Sequence, residues 1–214
     1  FKKKEIMLLL EGITYTHPDR DILFSDIHLI INRQEKAGLT GNNGTGKSTL
    51  LKIMAGLLEP SSGVVRTMAK PFYVPQVSGQ FNHLTIAQAL GIEGKLQALH
   101  AILEGRVTEA NLALLDDDWG IEERCREAFA YWELEVTDLH EAMRTLSGGQ
   151  KTKVFLAGIM IHQSQLVLMD EPSNHLDARA RGILYDYIHN SNHTLVLVSH
   201  DRTLLNIPGK IYEL

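Results

Sequence analysis

The sequence predicts an α/β fold built on a mainly parallel sheet with flanking helices, and three features predict it. A short stretch that reads as a buried strand, Glu35 to Thr40, runs into the glycine-rich segment Gly41-Asn42-Asn43-Gly44-Thr45-Gly46-Lys47-Ser48-Thr49 and then into helical sequence from Ser48 to Ala55. Two continuous apolar runs, Leu166 to Met169 and Leu195 to Val198, end in Asp170-Glu171 and in Ser199-His200-Asp201. Helical stretches, Gln150 to His162 and Ala178 to His189, precede each of these runs. Short runs without polar alternation mark strands buried on both faces. Strands alternating with helices make a parallel sheet, whose functional residues gather at the carboxyl ends of the strands.

The remaining elements follow in order. Met7 to Tyr15 and Ile22 to Ile31 are rich in Leu, Ile and Phe and read as strands, with His17-Pro18-Asp19-Arg20-Asp21 as the turn between them. Gly56 and Pro60 close the helix that begins at Ser48. Gly63 to Met68 and Pro71 to Gln76 read as two more short strands. From Thr85 to about Ala142 the pattern becomes helical. Leu96, Leu99 and Leu103 recur at helical spacing, as do Leu112 and Leu115, and Ile121 to Leu134 is amphipathic. Glycines 91, 94, 105 and 120 divide this region into short helices. The expected organisation is a single domain, with a core of 1–77 and 146–214 and a helical subdomain of 78–145. Asp116-Asp117-Asp118 reads as a solvated loop or helix end.

Composition narrows the function classes. The 214 residues carry a net charge of −5, from 21 Lys+Arg against 26 Asp+Glu, so the bulk pull toward nucleic acid is absent, and no nucleic-acid motif stands out. No apolar run approaches the roughly 20 residues of a membrane span. Phe1 to Ile6 is followed by too short an apolar stretch for a signal peptide, and Met7 could be the native start. Cys125 is the only cysteine, so no internal disulfide forms and a cytoplasmic location is expected; Cys125 itself reads as a helix-packing residue.

The glycine-rich segment fits G-x-x-x-x-G-K-[ST], a phosphate-binding loop. Glycines let backbone N–H groups curl into a nest around phosphates, at the N-terminus of the following helix. Lys47 is placed for the β- and γ-phosphates, the Ser48 hydroxyl for Mg²⁺, and Thr49 for the phosphates nearer the ribose. Asp170 is placed to hold Mg²⁺ through water, Glu171 to accept a proton from attacking water, and His200 to orient that water.

Leu146-Ser147-Gly148-Gly149-Gln150 is the LSGGQ signature, and on it the chain resembles the ATP-binding-cassette (ABC) ATPases over its whole length. The resemblance implies a P-loop NTPase core with an antiparallel β subdomain and an inserted helical subdomain, and ATP and Mg²⁺ as ligands. It implies that Gln76 contacts Mg²⁺ and water, that Glu171 is the catalytic base, and that His200 is the switch histidine. Ser173-Asn174-His175-Leu176-Asp177 is similar to the D-loop, with Asp177 near nucleotide. Tyr15 lies about where the family carries an adenine-stacking aromatic; it also reads as an ordinary strand aromatic. Ser147, Gly148 and Gly149 are implied to contact ATP held by a second cassette, so one cassette is half of an active unit. Glu171-Pro172-Ser173-Asn174-His175-Leu176-Asp177 resembles the E-P-T-N-H-L-D run of the ABC-F branch, with Ser173 in place of the usual Thr. Val198 to Arg202 and Asp118 to Arg124 are similar to that branch too. ABC-F proteins carry two tandem cassettes, and many act on the ribosome, so the resemblance implies one cassette, the first, of a longer soluble protein. The alternative implied is the ATP-binding subunit of an ABC membrane transporter.

Overall fold

The structure is a computed structural model that describes residues 5–19, 21–76, 79–135 and 138–214. Residues 1–4 of the leading basic stretch, Arg20 of the first turn and a few positions of the helical region lie outside the described residues. In chain order the elements are β1 (Ile6–Thr16), β2 (Ile22–Asn32), β3 (Lys36–Thr40), α1 (Lys47–Met54), β4 (Ser62–Thr67) and β5 (Pro71–Val74). Then come α2 (Ile86–Ala89), α3 (Glu93–Leu103), α4 (Glu109–Leu115), α5 (Ile121–Tyr131) and α6 (Gly148–Ile161). The chain closes with β6 (Leu166–Asp170), α7 (Ala178–Asn190), β7 (Thr194–Val198), α8 (Arg202–Leu205) and β8 (Lys210–Glu213).

The chain divides into two compact units, one of Phe1–Gln76 with Ser164–Leu214 and one of Val77–Gln163. The first unit holds two sheets. One is a parallel five-stranded sheet in the order β5-β6-β7-β3-β8. The other is an antiparallel three-stranded sheet in the order β2-β1-β4. Every residue of β6 and β7 is buried, as their unbroken apolar runs require. Leu50, Leu51, Ile53 and Met54 of α1 pack with Leu166, Leu168, Val196 and Val198 of the parallel sheet and with Leu8, Leu10 and Ile31 of the antiparallel one. That packing fixes α1 at the end of β3, and with it the loop between them. The edge strand β8 was not expected from the sequence. Lys210-Ile211-Tyr212-Glu213 is mostly exposed, so it has no apolar run to betray it.

The second unit is helical, with Trp132 wholly buried at its centre. The expectation that the core resumes at residue 146 differs from the structure, where the return comes at Ser164. Helix α6 belongs with the rest of this unit: the Arg124 Nε of α5 donates to the Ile161 carbonyl at 3.1 Å, and Phe155 of α6 meets the Phe81 ring, ahead of α2, at 4.6 Å. The three aspartates end α4, as expected, but only two are solvated. Asp116 and Asp117 take left-handed backbone angles, while Asp118 is paired with Lys95 at 3.0 Å and with Arg124. Burial pushes Asp118 upward, but those two cations outweigh it and hold its carboxyl below the usual range.

Candidate nucleotide site

The carboxyl ends of β3, β6 and β7 open onto one cleft of about 600 Å³. The loop after β3 forms one wall. Gly46 caps α1 with φ 99°, and a Cβ there would sit 2.7 Å from Leu23 Cδ2 and 2.8 Å from Phe24 Cε1. Only glycine meets both conditions, the positive φ and the close approach. No side chain caps the first turn of α1, which leaves its N–H groups for an anion. Lys47 is buried, and its Nζ donates to the carbonyls of Gly41 and Asn42, both at 2.8 Å. Thr45 Oγ1 also donates to Asn42, at 3.0 Å. Gly41, Asn42 and Thr45 thus shape the loop, while Asn43, Gly44, Gly46, Lys47, Ser48 and Thr49 line the cleft.

The opposite wall carries Gln76, Asp170, Glu171, Asn174 and His200. Asp170 is 2% exposed. Its Oδ2 accepts from the Tyr73 hydroxyl at 3.0 Å, and its Oδ1 has no hydrogen-bond partner among the described residues. Burial and the neighbouring Asp170 charge push the Tyr73 phenol far up, so it remains a donor. A buried carboxylate oxygen without a partner is costly unless something polar reaches it. With the Ser48 hydroxyl on the same cleft, the donor set fits a hard cation that keeps several of its waters, such as Mg²⁺.

Glu171 sits in a left-handed conformation, φ 50°, with its N–H on the Val198 carbonyl at 2.9 Å. Its Oε2 accepts from the His200 backbone N–H at 3.2 Å, and its Oε1 lies 3.5 Å from His200 Nε2. Burial raises its pKa above the ordinary value, and the Asp170 charge adds to this; His200 and Lys47 oppose it. A carboxylate raised in this way is a better proton acceptor near neutrality.

Several expected residues do not line the cleft. Tyr15 packs on the core and against Phe24, with ring centroids 6.2 Å apart. His17 lines the cleft instead, and it meets Tyr15 edge-on at 5.6 Å. The one sequence signal for it was an aromatic heterocycle placed just past the strand. Asp177 caps α7, accepting from Ala180 N–H at 2.8 Å. Ser147 caps α6 reciprocally with Gln150, at 2.8 and 3.3 Å, and with Gly148 and Gly149 it lies in the second unit. Sequence reading also missed Tyr73, whose partner is 97 residues away.

Comparison with known proteins gives the family of the chain. A family model described as ABC transporter matches residues 24–174. The tylosin resistance ATP-binding protein TlrC of Streptomyces fradiae is 35% identical, over 93% of this chain and 40% of TlrC. The probable ATP-binding protein YheS of Escherichia coli K12 is 34% identical, over 93% of this chain and 28% of YheS. The chain thus spans two fifths or less of these relatives. ZnuC of Bacillus subtilis, the ATP-binding protein of a high-affinity zinc uptake system, is 30% identical over 92% of this chain and 85% of ZnuC. Among solved structures, the ATP-binding cassette MJ0796, dimeric and bound to ADP and Pi, superposes with a TM-score of 0.74 at 24% identity, covering 97% of this chain and 94% of that one. Among the described residues no helix is long and apolar enough to cross a membrane. The chain belongs to the ABC transporter family of ATP-binding proteins and is an ATPase cassette of that type.

Proposed function

We propose that the chain binds MgATP in this cleft and hydrolyses it to ADP and phosphate when paired with a second cassette. The observation that carries the reading is the gathering of Lys47, Ser48, Asp170, Glu171 and His200 on one cleft. The loop N–H groups and the α1 N-terminus hold the phosphates, and Lys47 exchanges its two carbonyl partners for phosphate oxygens. Ser48, Asp170 and Gln76 would hold Mg²⁺, which when bound would supply positive charge against that developing on the transferring phosphoryl group. Glu171 takes the proton of the attacking water, and His200 orients that water. His17, in place of Tyr15, is assigned the adenine ring. Ser147, Gly148, Gly149 and Asp177 are assigned to nucleotide shared with the second cassette.

The resemblance of Glu171–Asp177 to the ABC-F run, and the similarity to TlrC and YheS, support a cytoplasmic ABC-F protein acting on the ribosome. A second reading, the ATP-binding subunit of a membrane transporter, is favoured by the match to 85% of ZnuC. The intact protein should co-sediment with ribosomes in the presence of a non-hydrolysable ATP analogue. Co-purification with a membrane complex, and absence from the ribosome pellet, would overturn the ABC-F reading in favour of the transporter.

A further inference from the structure

The base Glu171 is aimed by a segment that has little structure of its own. His200 donates its N–H to Glu171 from a bend, and the helix that follows, α8, has only four residues. A helix this short does not hold itself in place. Leu204 of α8 is buried, and Asp201 supplies the polar ties of the segment. Its Oδ1 caps α8 through the N–H groups of Thr203 at 2.9 Å and Leu204 at 3.4 Å, and its own N–H reaches Ser199 Oγ at 3.0 Å. All of those partners belong to the same short segment. Asp201 Oδ2 alone reaches outside it, accepting from the Tyr185 hydroxyl at 2.6 Å.

Tyr185 stands on α7, a helix of 13 residues anchored by buried Ala180, Leu184 and Ile188. We propose that Tyr185 is a positioning residue for hydrolysis. Through Asp201 it ties the His200 segment to α7, and so holds the His200 N–H on the carboxylate of Glu171. The bond is charge-assisted and half-buried, the kind worth most in holding geometry. Its partner is 16 residues away in sequence and on a different element, so the bond does not merely complete a local turn. The same helix is capped by Asp177, directly after the segment Ser173–Leu176.

The proposal rests on Glu171 being the base, so the test carries a separate check of that assignment. In the intact protein, Tyr185→Phe removes one hydroxyl and keeps the ring. The expected result is a fall in kcat of about tenfold, less than the roughly hundredfold that a 1 Å misplacement can cost. KM for MgATP and the thermal midpoint should stay at parental values. An unchanged kcat overturns the proposal. A loss of kcat that comes with a raised KM and a lowered melting point also overturns it, because that is a merely structural role. Glu171→Gln is run alongside: if it hydrolyses at the parental rate, the base assignment itself has failed, whereas loss in Glu171→Gln with parental kcat in Tyr185→Phe sinks only the role of Tyr185.

Discussion

The parallel sheet of the first unit has two ends, and they treat polar groups in opposite ways. At the carboxyl ends of β6 and β7, Asp170 keeps a buried oxygen without a hydrogen-bond partner among the described residues, and burial raises the pKa of Glu171. At the amino ends, polar groups find partners. Gln34 N–H donates to Thr194 Oγ1 at 2.9 Å, Lys36 Nζ to the His189 carbonyl at 2.9 Å, and Lys210 pairs with Glu35 at 2.8 Å. The carboxyl end thus holds the unbonded Asp170 oxygen and a carboxylate raised by burial, and the amino end holds ion pairs and hydrogen bonds between distant segments.

The largest effect should come from the carboxyl end. Glu171→Gln keeps the size of the side chain and removes the proton acceptor, so hydrolysis in the intact protein should fall by about 10² to 10⁴, the usual range for a general base. The thermal midpoint should not fall, because burial of the charged form is what Glu171 resists. A large loss of stability without loss of turnover would place Glu171 among the ties and erase the contrast.

Lys47→Ala should come next. It removes a charge-assisted donor at the loop, which is worth about 1.5–3 kcal/mol, or roughly ten- to a hundredfold in MgATP affinity. Calorimetry showing parental affinity would move the nucleotide away from this loop.

The amino end should respond in the other currency. Burial pushes Glu35 upward, but Lys210 and the Asn32 amide, at 2.7 Å, outweigh it and hold its carboxyl below the ordinary 4.5. Its contribution to stability is therefore present above that value and is lost as pH falls through the lower, folded-state pKa. Glu35→Gln should cost about 1.5 kcal/mol in denaturant unfolding at neutral pH, the low end for a hydrogen bond to a charged group. Turnover should be unchanged at saturating MgATP. A variant with parental stability and impaired turnover would show that the two ends are not separable.

This division of labour was only half legible in the sequence. Glycines at fixed spacing, an acid pair after a buried run and a histidine after the next one are local patterns, and α1, β6 and β7 appeared where those patterns put them. The contacts that hold them are not local. Tyr73 meets Asp170 across 97 residues and Gln34 meets Thr194 across 160, so no window of sequence contains either pair. Tyr15 was singled out by resemblance, which fixes a position only approximately; the aromatic ring that lines the cleft is that of His17, just past the end of β1 at Thr16. Helix α6 is tied to α5 by Arg124 on the Ile161 carbonyl and meets Phe81 through Phe155, contacts that no periodicity connects.

The smallest predicted effect gives the finest test of the contrast, because it uses pH to address the amino end alone. His193 precedes β7, half-buried, with its Nε2 at 2.9 Å from the Tyr187 hydroxyl and its ring 5.7 Å from that of Tyr187. Burial lowers its pKa below the ordinary 6.5 and the Lys36 cation adds to the shift; a hydrogen bond to the Ser164 backbone opposes them. The folded state thus binds a proton less readily than the unfolded chain. Above 6.5 neither state is protonated at this site and nothing is lost. As pH falls from there toward the folded-state pKa, the unfolded chain gains a proton that the folded one refuses, so stability declines. The decline for a single group cannot exceed about 1.4 kcal/mol per pH unit. Unfolding curves at pH 7.5 and 5.5 should therefore differ less in His193→Gln than in the parent, with the variant's turnover at pH 7.5 unchanged. If the two proteins lose stability in parallel between those pH values, the acid sensitivity belongs to other groups. If turnover falls with the substitution while stability is untouched, the amino end is feeding the chemistry after all, and the separation of the two ends fails at its most sensitive point.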